Sequence, residues 1–189
     1  EKKKIDVALE NIIVSNGNVK IQIHKWKTLF NGQNVNIKLT NIKQSDDASK
    51  IPVAFEEFKI DAQNVVVTAN EFYEINAKKI SAKNKTLNIL GFHLNPIQNA
   101  KNYNAKNIFD FSADELMAKN FVISQDSLIV DQIDFVKPDL KVTSTGKKTV
   151  EKKVEKEKEM NLKIGLKNIN FNQGKILVLQ SNLQKTASI

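Results

Sequence analysis

The sequence predicts an all-β protein, an elongated, curved and partly open antiparallel meander of bulged strands. Three observations carry this reading. Apolar and polar residues alternate strictly over run after run, the period of a strand with one buried face. Turn-forming pairs separate the runs at short spacing, which favours antiparallel neighbours. The apolar phase also slips by one residue at recurring points, the mark of a β-bulge, which bends a strand while keeping one face buried.

The runs follow one another along the whole chain. Ile5, Val7 and Leu9 open the first, and Val19, Ile21 and Ile23 the second. Val35, Ile37 and Leu39 form the third, and the texture continues through Phe58, Ile60 and Ala62, then Tyr73, Ile75 and Ala77. It returns at Leu140 and Val142 and at Leu162, Ile164 and Leu166. Between them, Asn16-Gly17 and Asn31-Gly32 are expected to close tight hairpins, because both residue types accept positive φ. Asn84-Lys85, Gln125-Asp126 and Gln173-Gly174 are weaker turn signals, and Lys137-Pro138-Asp139 fits a turn or the start of a strand. The expectation is a meander of about ten or eleven strands.

The phase slips recur at Asn11, Asn64, Asn120 and Asn168, about 50 residues apart. The first and last copies align without a gap: Val7, Leu9, Ile12, Val14, Val19 and Ile21 fall on Ile164, Leu166, Ile169, Phe171, Ile176 and Val178. This predicts three repeated three-strand units over residues 1–145 and the start of a fourth over 161–189. Residues 146–160, nearly all lysine and glutamate, read as a charged linker or frayed helix. Ser112 to Lys119 has good helix formers, but its place in the repeat argues for strand. The chain enters a strand pattern at Ile5 and stops at Ile189 without a terminal signal, so it reads as a segment of a longer protein.

Composition narrows the function classes. The chain has 189 residues, no cysteine and a formal net charge of +8. Disulfide, thiolate-zinc and cysteine-nucleophile chemistry are therefore excluded. All 29 basic residues are lysine. Arginine supplies the bidentate fork on which nucleic-acid surfaces depend, so a nucleic-acid partner is not expected. The two histidines, His24 and His93, have no second ligand at metal spacing, so no metal is expected. The adjacent carboxylates Asp46-Asp47 and Glu56-Glu57 point to opposite faces of a strand and make no acid–base dyad. Asn84-Lys85-Thr86 matches a glycosylation acceptor of the kind expected by chance in an asparagine-rich chain. No phosphate-binding glycine loop and no nucleophile elbow occurs, so the chain is read as non-catalytic, with no cofactor other than a bound lipid.

The physical question is what covers the apolar side of the sheet. A covering helix needs an apolar stripe of period 3.6, and none stands out. Either the sheet closes on itself, or it curls into a trough whose floor is covered by a ligand or by neighbouring units. Bulges repeated at one level favour the trough. Its candidate floor is Val7, Leu9, Ile12, Val14, Val19, Ile21, Ile37, Leu39, Ile60, Val65 and Val67, residues for which plain core packing is the first description. A ten-residue strand spans roughly 33 Å. An acyl chain of about 16 carbons offers on the order of 10 kcal/mol before ordering costs, at about 0.8 kcal/mol per methylene. Headgroup selectivity would then fall to a lysine-rich rim.

The stretch Lys50-Ile51-Pro52-Val53-Ala54-Phe55-Glu56-Glu57-Phe58-Lys59-Ile60, continued by Glu71 to Ile80, resembles AsmA-like proteins of the Bacteroidetes type. The repeated strand starts, apolar-x-apolar-x-Asn-apolar-x-apolar, are similar as well. The resemblance implies a repeating β-groove, anchored in the inner membrane through a region outside this segment and facing the periplasm. It also implies lipid transport or membrane homeostasis between the inner and outer membranes, with phospholipid or another acyl-chain lipid as partner. The charged insertion departs from that pattern. Two other readings stand beside it: a structural or protein-binding β-sandwich with a dry core, and an outer-membrane barrel, for which one tryptophan and two tyrosines are few.

Overall fold

A computed structural model describes residues 8–23, 27–44, 53–70, 72–97, 106–123, 127–145, 163–180 and 183–188. All elements within them are strands. They are β1 (Ala8–Ile23), β2 (Lys27–Gln44), β3 (Val53–Ala54), β4 (Glu57–Thr68), β5 (Tyr73–Lys83) and β6 (Thr86–Pro96), followed by β7 (Asn107–Ile123), β8 (Ser127–Val136), β9 (Asp139–Ser144), β10 (Lys163–Asn172), β11 (Lys175–Gln180) and β12 (Leu183–Ser188). Together they make one 12-stranded sheet in the order β1-β2-β4-β5-β6-β7-β9-β11-β12. Strand β3 lies on β2, and β8 lies between β7 and β10. The protein is all-β, and its sheet is an open, antiparallel-dominated meander that does not close into a barrel. Residues 146–160, expected as a linker or frayed helix, lie outside the described residues.

Local propensity gives way to pattern over Ser112–Lys119. The segment sits inside β7, where Ala113, Leu116 and Ala118 are buried on the apolar face. A helix would turn Ala118 away from the face shared by Ala113 and Leu116.

The pairing departs from a pure meander in one place. Strand β10 runs parallel to β8, and β11 parallel to β9, with Lys163 beside Ser127 and Gln180 beside Ser144. Parallel neighbours need a crossover of a dozen residues or more. The stretch between Ser144 and Lys163 is long enough to supply one.

Most expected turns are not turns. Asn84-Lys85 does reverse the chain, between Lys83 and its partner Thr86. Asn16-Gly17 lies inside β1 and Asn31-Gly32 inside β2. Lys137-Pro138-Asp139 takes the other form expected of it, since β9 begins at Asp139 directly after the proline, and Gln173-Gly174 joins β10 to β11 without reversing the chain. Gln125-Asp126 lies outside the described residues, though the flanking Ile123 and Leu128 are paired. A left-handed residue can reverse a chain only with a hairpin partner beside it; within a paired strand the same φ makes a bulge.

The left-handed residues fall on two levels that cross the sheet. At the first level, Asn16, Asn34, Asn64, Gly91, Lys137 and Gln173 take φ of 52°, 47°, 47°, 62°, 47° and 58°. Register places them side by side: Gln33 pairs with Gln63, and Val136 with Asn172. Lys78 of β5 and Asp114 of β7 occupy the same level, Lys78 against Gly91 and Asp114 in a 3.3 Å ion pair with Lys137. At the second level stand Asn41, Asn84 and Asn120, with φ of 49°, 50° and 53°. Of the four phase slips, Asn64 belongs to the first level and Asn120 to the second. Asn11 pairs with Thr40, beside Asn41, and Asn168 donates to the Asp131 carbonyl, also at the second level. By its pairing, strand β7 runs opposite to β1, β4 and β10 although it carries the same slip.

Six of the eight positive-φ non-glycine residues are asparagine, so the asparagine richness has a structural use. Asparagine is the side chain that tolerates this conformation best after glycine. At the first level it also links strands reciprocally: Asn34 donates to Gln63 and Asn64 to Gln33, each at 2.9 Å. Replacing Asn64 with valine, whose branched Cβ resists left-handed φ, lowers stability by about 1–2 kcal/mol. Asn64→Gly stays within about 0.5 kcal/mol of the parent. Urea denaturation of the two variants checks the difference.

Candidate functional site

Cross-strand partners share a face, so the register lists map the apolar side directly. One row runs Val67, Ile75, Leu94, Phe111, Leu140, Ile176 from β4 to β11. A second runs Ala62, Ile80, Ile89, Leu116, Phe135, Phe171 from β4 to β10. On the β1 side, Ile12, Val14 and Ile21 pair with Leu39, Ile37 and Phe30, which extends the same face. The bulges keep it continuous: between Ala62 and Val65, or Ala118 and Phe121, the apolar parity changes without a change of side.

The middle of this face is filled. Val35, Ala62, Val65, Ala77, Ile89, Leu116, Ala118 and Val130 form a buried cluster, with Phe30, Phe92, Phe121 and Phe135 packed against it. Small side chains under large ones give a dense floor in a single layer. Phe58 and Phe121 approach to 6.2 Å between centroids, on the strands that flank the Asn84-Lys85 turn.

The two ends of the face are not filled. Among the expected floor residues, Val65 is 1% exposed, and Val19, Ile37 and Val67 pack on the core. Leu39 and Ile60 are half-buried. Leu9, Ile12, Val14 and Ile21 on β1 are exposed, Ile21 at 51%. Val7 lies outside the described residues. The expected set thus divides into a packed core and an open edge.

A second opening is at the other end. A concavity of about 680 Å³ is lined by Phe111, Phe135, Pro138, Leu140, Ile169, Phe171, Gly174, Lys175 and Ile176. Its floor crosses the first bulge level, where Pro138 and Gly174 meet. A Cβ on Gly174 would lie 3.1 Å from Pro138 Cγ, so glycine keeps the two strands close there. Phe111 and Phe135 meet edge to face at 5.1 Å, and Phe135 stacks on Phe171 at 5.2 Å. Phe171 is 61% exposed, one face on Phe135 and the rest in solvent. None of these residues was among the expected floor positions. The gapless match was the signal, since it puts Ile169, Phe171 and Ile176 on Ile12, Val14 and Val19.

Among the described residues the opposite face is mainly polar, with Ile13, Val122 and Ile129 exposed on it, and it carries cross-strand lysines. Lys38 pairs with Lys59, and Lys59 with Lys83, along the back of the sheet rather than around the groove. These described lysines lie on the back because lysines that alternate with apolar residues must point away from them. Lys175 is the lysine that lines the concavity. Two carboxylates on the back, Asp134 and Asp61, are held below their ordinary range. Asp134, buried, accepts from Asn170 at 2.6 Å and Gln132 at 2.7 Å, with Lys119 at 3.5 Å, and these donors outweigh the cost of desolvation. For Asp61, desolvation pushes upward, but the Ser81 hydroxyl and Lys59 together pull it down.

His93 Nε2 lies 2.6 Å from Asp110, and among the described residues no cluster of potential metal ligands occurs. His24 and Asp46-Asp47 lie outside the described residues. Glu56 accepts from Asn41, and Glu57 pairs with Thr40.

Two substitutions separate the filled from the open part. Val65→Ala costs about 2 kcal/mol, by lost burial and an unfilled cavity. Phe171→Ala costs less than about 1 kcal/mol, since it removes one exposed stack. Thermal unfolding of both variants distinguishes them.

No protein-family model matches this sequence, no curated protein matches it, and no solved structure matches its fold.

Proposed function

We propose that this chain is a non-catalytic lipid-binding groove, part of an AsmA-like envelope protein that handles lipids between the inner and outer membranes. The observation that carries the reading is an unbroken apolar face on a single sheet, uncovered at both ends among the described residues. An exposed apolar surface of this extent on a folded domain marks a binding site. The concavity over β7–β11 has the composition of an acyl-chain site: aromatic and aliphatic walls with one cation at the edge. Acyl chains need no directional contact, so a passive apolar floor suffices. Lys175 offers a charge partner for an anionic headgroup. Attachment to a membrane would come from a region outside this segment, on the periplasmic face.

A β-sandwich module would place a second layer over the same face. The single layer among the described residues supports the groove instead. The test is uptake of a fluorescent fatty acid by the purified chain, with mass spectrometry of co-purifying lipid. Phe171→Asp weakens uptake by about tenfold or more, since a carboxylate enters the apolar floor. Val122→Asp, at a position 52% exposed next to Phe121 and facing the other way, leaves uptake unchanged. A parent chain that neither carries nor takes up lipid refutes the reading.

A further inference from the structure

Strands β2, β4, β5, β6 and β7 lie inside the sheet, each paired on both sides, and one row on their polar face gathers positive charge. Register sets Lys38 beside Lys59, Lys59 beside Lys83, Lys83 beside Thr86 and Thr86 beside Lys119. Like charges directly opposite one another on paired strands are destabilising, and Lys38, Lys59 and Lys83 stand in an unbroken line. The carboxylates nearby do not cancel them. Lys59 lies 3.2 Å from Asp61 and Lys119 3.5 Å from Asp134. Among the described residues, Lys38 and Lys83 have no carboxylate at ion-pair distance.

The same row has a hollow. Thr86 is short where Lys83 and Lys119 on either side are long, and a depression of about 280 Å³ opens there, its polar lining including Lys59, Lys83, Lys119, Asp61, Ser81 and Thr86. Three ammonium groups thus meet one carboxylate. That carboxylate is already engaged: Ser81 Oγ donates to one oxygen of Asp61 at 2.8 Å, and Lys59 Nζ lies 3.2 Å from the other. Thr86 Oγ1 donates to the Lys83 carbonyl at 2.9 Å, which ties the two residues together across the β5–β6 turn. Both hydroxyl protons are therefore committed, and what the hollow offers a ligand is ammonium N–H. An ammonium has several such donors, more than these ion pairs take up. The ligand that neutralises the surplus carries about two negative charges on clustered oxygens, as a phosphate with one ester bond or none does. A carboxylate or a phosphodiester brings about one charge and leaves part of the repulsion in place.

We propose that this hollow binds a terminal phosphate dianion through Lys59, Lys83 and Lys119, carried by free phosphate, a soluble phosphate monoester or a lipid with a monoester headgroup. Titration of inorganic phosphate into the isotope-labelled full chain, at ionic strength held constant with chloride, tests this by amide NMR. Saturable shifts of Ser81, Lys83 and Thr86 are expected, and dimethyl phosphate, a monoanion of similar shape, binds at least about tenfold more weakly. Lys83→Gln, which breaks no ion pair among the described residues, weakens phosphate binding several-fold, and adding Lys59→Gln brings the loss to about tenfold or more. Lys141→Gln, on the same face but outside the hollow, leaves it unchanged. Sedimentation with phosphatidylcholine vesicles containing phosphatidic acid assigns the source: capture reversed by inorganic phosphate identifies a lipid headgroup, and phosphate saturation without capture a soluble ligand. No saturable shift in this row, equal affinity for dimethyl phosphate, or binding unmoved by the double substitution overturns the proposal. The hollow and the apolar groove lie on opposite faces, so none of these outcomes depends on whether the groove holds lipid.

Discussion

Long strands in this protein bend without losing their sidedness, and the rest of the structure depends on that. A strand of 16 or 18 residues, such as β1 or β2, carries a strong right-handed twist that would turn its apolar side away from its neighbours'. A left-handed residue resets the phase at a fixed level, and because the levels align across strands, the whole sheet bends along common lines. Asparagine does most of this work, with glycine at Gly91 and lysine or glutamine at Lys137 and Gln173. The cost of the left-handed conformation is recovered partly through side-chain amides, as in the reciprocal contacts of Asn34 and Asn64 with Gln63 and Gln33.

The bend has a packing consequence. In the centre of the sheet, small residues such as Ala62, Ala77 and Ala118 sit beneath Phe92, Phe121 and Phe135, and a single layer excludes water from its own floor. Toward β1 and toward β10–β11 there are too few neighbours to complete this cover, and Ile21 and Phe171 stand in solvent. The molecule therefore combines a stabilising core with exposed apolar ends on one continuous surface. The polar back, with Asp61, Asp134 and their donors, keeps the other side hydrated and fixes its pairing.

Much of the fold was legible in the sequence, since alternation and phase slips depend only on the order of residues. Strand character over Ser112–Lys119 followed from its apolar positions despite its helix-forming composition. The turn signals misled because Asn-Gly reports only a permitted φ: Asn16 takes it inside a paired strand, where it makes a bulge, and Asn31-Gly32 does not take it. The parallel pairing of β10 with β8 was not legible, since a charged stretch does not say where the next strand docks. Of the candidate floor, Val65, Val67, Val19 and Ile37 lie in or on the packed core and Ile12, Val14 and Ile21 stand exposed on the same face, a division that alternation alone could not show. The opening over Phe111, Phe135 and Phe171 arises from three-dimensional proximity and from Gly174 meeting Pro138.

The most direct test of an apolar face open at the β7–β11 end is methyl NMR of the isotope-labelled chain with a spin-labelled fatty acid. The account predicts strong paramagnetic broadening of Leu140, Ile169 and Ile176, with Val65, Ile13 and Val122 left sharp. Broadening centred on the polar back, or none at saturating fatty acid, would contradict it.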